Sequence, residues 1–141
     1  MKMRTAAVCL LLLTALAGAG LLFAREPEGG AKVEAQQLFV HDFAGDPNTE
    51  VNAQLYTFPP GASVPWHIHP DAQEIAYIVE GTLTFQREGE EPKEIEAGEA
   101  DYLPPNVVHR GMNKGDIPVK LFVVRIKPKN QPLVQEVPPP P

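Results

Sequence analysis

Three histidines and one glutamate carry the chemistry in this sequence. His67 and His69 are two residues apart in Trp66-His-Ile-His-Pro70. Glu74 opens the apolar run Glu74-Ile-Ala-Tyr-Ile-Val-Glu80, and His109 lies well downstream in Val107-Val-His-Arg110. On an extended strand, residues i and i+2 share a face, so both imidazoles of the pair reach one point. Pro70-Asp71-Ala72 supplies the turn that returns Glu74 beside them. His109 must arrive from a strand distant in the chain. Neutral imidazole suits zinc, iron, copper and nickel, and a carboxylate adds a hard ligand also acceptable to manganese. Four such ligands on an ion that prefers six leave positions open, the mark of a catalytic rather than a closed structural site. A His-x-His pair alone is a weak signal, but two histidines, a glutamate and a distant third histidine are a much stronger one. The fourth histidine, His41, is read as a hydrogen-bonded core residue and not as a ligand.

These side chains need strands to hold them. Val51–Phe58 alternates, Pro59-Pro60-Gly61 stops it at a corner, and Glu80-Gly81 makes a tight hairpin into Thr82–Gln86. If Glu74 points inward, Ala76 and Ile78 do too. Arg87–Glu94 reads as a charged, solvated loop. In Val119–Ile126, the most apolar strand, Arg125 and Lys127 share parity with Leu121 and Val123. The opposite parity, Phe122, Val124 and Ile126, is therefore expected inside. Gln54, Tyr56 and Tyr102 are polar residues near the site, expected as ordinary strand or rim residues. No catalytic acid or base is identifiable. Eight or nine short strands, with no convincing helix after residue 24, make an all-β sandwich or barrel.

The two blocks around the candidate ligands resemble the two motifs of the cupin superfamily. Gly61, His67, His69, Glu74 and Gly81 match the first. Gly98, Pro104, His109 and Asn113 match the second, with Asn106 where the family usually has glycine. Asparagine is the non-glycine residue most at ease with positive φ, so the departure is mild. The resemblance covers residues 38–127 and implies a double-stranded β-helix (jelly roll). It also implies one divalent ion, Fe, Mn, Ni, Cu or Zn, held by His67, His69, Glu74 and His109, and a barrel that pairs as a homodimer.

At 141 residues the chain is one domain. Residues 1–24 have the charged, apolar, small-residue order of a secretory signal peptide, with cleavage after Ala19 or Ala24. An uncleaved membrane anchor is the alternative. A flexible tether (25–36), the cupin domain (37–128) and a Pro-rich disordered tail (129–141) follow. Losing Lys2 and Arg4 with the signal changes the formal charge from −6 to −8, 10 Lys and Arg against 18 Asp and Glu. That acidic balance argues against nucleic-acid binding. Cys9 is the sole cysteine and lies in the signal, so a mature exported form, periplasmic or extracellular, has neither a disulfide nor a thiolate ligand.

Three functional readings follow. The first is a metalloenzyme acting on a small organic molecule: a dioxygenase-like oxidoreductase, or else a decarboxylase or isomerase. The second is a non-catalytic module that binds a small ligand or a metal. The third keeps the motif residues only as relics of the fold. The complete four-ligand set favours the enzyme.

Overall fold

The computed structural model describes residues 31–141. Residues 1–24, read as a signal peptide, and the first half of the expected tether, 25–30, therefore lie outside the described residues. Ten strands follow in chain order: β1 (Glu34–Phe43), β2 (Asp46–Phe58), β3 (His67–Ile68), β4 (Gln73–Glu80), β5 (Thr82–Arg87), β6 (Lys93–Glu96), β7 (Ala100–Leu103), β8 (His109–Met112), β9 (Val119–Pro128) and β10 (Gln135–Glu136). They form two five-stranded sheets, β1-β2-β9-β4-β7 and β10-β3-β8-β5-β6. The pairings are antiparallel throughout. Two such sheets face to face are the jelly roll expected. Residues 34–36, read as tether, belong to β1.

Strand alternation places the core between the sheets. On β4, Glu74, Ala76 and Ile78 are buried while Ile75, Tyr77 and Val79 face out, as the period of two requires. Phe58, Leu83, Phe85, Ile95, Leu103 and Val119 join Ile78 in one apolar cluster. Two backbone positions fix how the motif strands turn. Gly81 sits at φ 80°, and a Cβ there would lie 2.8 Å from the Pro118 carbonyl oxygen, so the β4–β5 hairpin admits glycine only. Asn106 takes φ 63°, the left-handed conformation its family glycine would hold. Its side chain adds what glycine lacks: Oδ1 accepts from the Asp71 backbone N–H and Nδ2 donates to Asp71 Oδ1, each at 3.0 Å. The loops carrying the two motifs are tied together there. Asn113 ties the end of β8 to the end of β2 and to its own loop, with Nδ2 donating to the Phe58 and Ile117 carbonyls.

Three expectations are corrected. On β9 the buried residues are Val119, Leu121, Val123, Arg125 and Lys127, so Phe122, Val124 and Ile126 lie on the outer face. The parity argument treated charge as a marker of the outside. Both cations are instead paired within the fold, Arg125 with Glu74 and Lys127 with Glu50, and a paired charge can be buried. His41 is exposed on β1 and is not a core residue. Residues 129–141 are not a detached tail, since β10 pairs with β3, Gln135 opposite Ile68 and Glu136 opposite His67.

Candidate metal centre

His67 and His109 are direct cross-strand partners on β3 and β8, which sets their rings 4.1 Å apart between centroids. His69 follows β3 at the start of the turn closed by the Ala72 N–H on the His69 carbonyl, with Asp71 at φ 54°. Its ring lies 4.9 Å from that of His67 and 5.1 Å from that of His109. One nitrogen from each of the three lies within 4.8 Å of the others. Two nitrogens bound to one ion at about 2.1 Å are at most about 4.2 Å apart. The three nitrogens are thus near enough for side-chain adjustment to bring them onto one ion.

The hydrogen bonds behind the rings show which nitrogens are offered. His67 Nδ1 lies 2.8 Å from the Pro65 carbonyl oxygen, His69 Nδ1 2.7 Å from that of Leu133, and His109 Nδ1 2.9 Å from that of Val107. A carbonyl only accepts, so each Nδ1 carries the proton and each neutral ring presents the Nε2 lone pair. Backbone support of this kind is how metal-binding imidazoles are oriented. Burial, then His67 beside it, pushes the His109 imidazole down to about 3, with Glu74 and the Val107 bond countering only in part. Burial likewise lowers His67. Both rings are therefore neutral and able to ligate at ordinary pH.

Glu74 stands beside this cluster. It faces Arg125 directly across the β4–β9 pairing, and Arg125 Nε donates to Glu74 Oε2 at 2.6 Å. Burial by itself would raise the carboxyl. The Arg125 guanidinium holds it well below the usual carboxylate range, so it is ionised. His69 Nε2 is 2.9 Å from the same Oε2, yet it is buried without a hydrogen-bond partner among the described residues. With the ring proton on Nδ1, that close approach sets a lone pair against a carboxylate oxygen. A cation near both atoms relieves the repulsion, so the donor set fits a divalent metal.

Arg125 is the site residue that sequence reasoning placed on the wrong face. Besides holding Glu74, its Nη1 donates to Gln54 Oε1 at 2.9 Å and to the Tyr56 hydroxyl oxygen at 3.0 Å, and Tyr56 in turn donates to Gln54 at 2.6 Å. Gln54 and Tyr56 are thus part of the site and not rim residues. Tyr102 is exposed and its hydroxyl reaches Gln73, away from the cluster. The one signal available was a charged residue set in the middle of the most apolar strand. His67, Glu74, His109, Arg125 and Tyr56 line one side of a cavity of about 240 Å³, whose other walls include Phe58, Leu83, Phe85, Leu121 and Val123. Asp101 also borders it, but Arg87 Nη2 and Lys93 Nζ hold its two oxygens at 2.8 and 2.5 Å.

Residues 54–125 match the family model for the cupin domain. The chain belongs to the cupin family. Among curated relatives, this cupin is 36% identical over 69 residues to the tetracenomycin polyketide synthase protein TcmJ of Streptomyces glaucescens, covering 49% of this chain and 45% of that one. It is 28% identical over 95 residues to the auxin-binding protein ABP19b of Prunus persica, covering 64% and 46%. The chain spans about half the length of these relatives. Among solved structures, the DMSP lyase DddQ of Ruegeria pomeroyi DSS-3 superposes with a TM-score of 0.60 at 22% identity, covering 74% of this chain and 51% of that one. That likeness is one of fold.

Proposed function

We propose that this cupin is a metal-dependent enzyme acting on a small, largely apolar organic molecule. The proposed ligands are His67, His69, Glu74 and His109, and the proposed ion is Fe, Mn, Ni, Cu or Zn. The observation that carries this reading is the approach of three imidazole nitrogens to within 4.8 Å of one another, each ring turned by its own backbone carbonyl. The three histidines form the cluster by themselves, and Glu74 stands beside it with Oε2 at 2.9 Å from His69 Nε2, so the carboxylate would turn to join them. When bound, such an ion supplies Lewis acidity and a template for a chelating substrate, and, if redox-active, the dioxygenase-like chemistry we favour over decarboxylation or isomerisation.

The chain's own residues do the rest. Arg125 keeps Glu74 ionised and aimed at the cluster. Phe85, its ring centroid 5.3 Å from that of His109, and the apolar walls limit water around the open positions. The cavity's other paired carboxylate, Asp101, is already engaged by two cations and is a poor general base.

The charged, apolar, small-residue order of residues 1–24 supports an exported, periplasmic or extracellular setting. Ile75, Tyr77, Val79 and Tyr102 are exposed on the outer face of the β1-containing sheet. Ile75 pairs with both Tyr102 and Val124, and Tyr77 with Phe122, so this apolar face is continuous and suits a second copy of the chain. The auxin-binding relative supports an alternative, a module that binds a small ligand without turning it over.

Elemental analysis of the purified protein, followed by oxygen uptake with catechols, thiols, flavonols and β-diketones, tests the proposal. About one transition-metal ion per chain and substrate-dependent oxygen uptake are expected. A bound ion with ligand binding and no turnover selects the binding module. No ion, even after incubation with each metal, overturns the metalloenzyme reading.

A further inference from the structure

The three ring-orienting hydrogen bonds do not come from the same part of the chain. The carbonyls of Pro65 and Val107 are each two residues before the histidine they hold, and so arrive with the local backbone. The carbonyl that holds His69 belongs to Leu133, 64 residues away. Accepting the metal-binding reading above, we propose that residues 130–137 are a strap that completes the centre from the C-terminal side. In it the Leu133 carbonyl sets the His69 ring and Val134 and Glu136 close the cavity wall.

The strap is laid down by its own hydrogen bonds. β10 pairs with β3 within the histidine pair, Glu136 opposite His67 and Gln135 opposite Ile68 between the two histidines. The Val137 N–H donates to the Trp66 carbonyl at 2.9 Å, and Gln131 Nε2 donates to Asp71 Oδ2 at 3.2 Å. The attachments thus bracket both sides of the His67–His69 segment. Val134 and Glu136 belong to the lining of the cavity that holds His67 and His109.

Among the described residues, little else fastens this segment. Val134, Gln135 and Glu136 are exposed, Leu133 and Val137 are only half-buried, and β10 is two residues long. A segment with few buried apolar contacts opens locally at low cost, without unfolding the barrel. The strap is therefore a part of the centre that can leave while the fold stays. With it gone, His69 Nδ1 loses its acceptor, and the ring is free to exchange tautomers and rotate away from the cluster. Leu133 acts here through His69, as a positioning residue.

The test compares the full chain with a version ending at Asn130, and with Val137→Pro, which removes one strap donor and deletes nothing. Co2+ titration of each metal-stripped protein reads affinity. Nitrogen-resolved NMR of the metal-free proteins reads the His69 tautomer, which a merely stabilising tail would leave alone. We expect the truncation to weaken Co2+ binding by about 10- to 100-fold, the usual effect of losing a partner that orients a ligand. His69 should pass from the Nδ1-protonated form to a mixture, with His67 and His109 unchanged, and Val137→Pro should shift both readouts the same way by less. Co2+ affinity within twofold of the full chain, together with an unaltered His69 tautomer, overturns the proposal. If none of the proteins binds Co2+, the metal reading fails, and the tautomer comparison alone decides the strap. If the truncated chain does not fold, Val137→Pro decides it.

Discussion

His67 and His109 form one region of the centre and His69 with Glu74 another, and the two are held in different ways. The first pair sits on directly opposed strands, and each ring is tied to a carbonyl two residues earlier. The second pair depends on distant chain: His69 on Leu133, and Glu74 on Arg125, 51 residues away. Local support comes with the motif itself. Remote support must be recruited from β9 and β10, so the second region responds to changes that leave the motif untouched.

The largest effect expected is loss of the ion. His109→Ala removes one of only three imidazoles and should weaken metal binding by roughly a thousandfold, about 4 kcal/mol at 1.4 kcal/mol per decade. His41→Ala, on an exposed strand outside the cluster, should leave it unchanged. Equal losses in the two variants would undo the ligand assignment. Calorimetric metal titration makes the comparison.

Arg125→Met probes the remote region next. Removing one partner of a buried ion pair leaves the other uncompensated, at a cost of about 3–5 kcal/mol. Urea unfolding of the metal-free protein should show that loss. Adding Glu74→Gln should recover part of it, because the stranded charge is then gone. No recovery would mean that Arg125 serves packing and not Glu74.

Acid should act in the same direction through both regions. The His109 imidazole is held at about 3 in the fold, below its ordinary value of 6.5. Between those values the unfolded chain binds the proton and the folded chain does not, so stability falls as pH drops through that window. Glu74, also depressed, contributes stability above its ordinary carboxylate range that is lost on further acidification. The slope is at most about 1.4 kcal/mol per pH unit for each titrating group. Urea midpoints of the metal-free protein at pH 7 and pH 5 should differ, and His109→Gln should reduce the difference. Equal midpoints at the two pH values would contradict the burial argument.

The smallest effect is expected at the junction of the motif loops. Asn106→Gly keeps the positive φ and loses two exposed bonds to Asp71, so the change should stay within about 1 kcal/mol. Asn106→Val keeps neither the bonds nor an easy left-handed backbone and should cost more. Thermal melts separate the two.

What the sequence made legible follows the same division. The clustered histidines, the inward face of Glu74, Ala76 and Ile78, and the positive φ at Asn106 all depend on strand period and turn chemistry within short windows. Arg125 was misplaced because parity weighs a charge by its type and cannot see a carboxylate waiting on the next strand. The C-terminal segment was misread because its prolines and polar residues say nothing of backbone partners on β3. His41 was expected in the core because the exposure of an edge strand depends on what covers it, which no local pattern records.

The central claim is best tested by X-ray absorption on the protein loaded with one equivalent of zinc. The account predicts one ion per chain with three imidazole nitrogens at about 2.0–2.1 Å and a carboxylate oxygen completing the protein ligands. It also predicts loss of one imidazole in each of the His67, His69 and His109 variants. A spectrum with fewer than three imidazoles in the intact protein, or one unchanged by those substitutions, would contradict it.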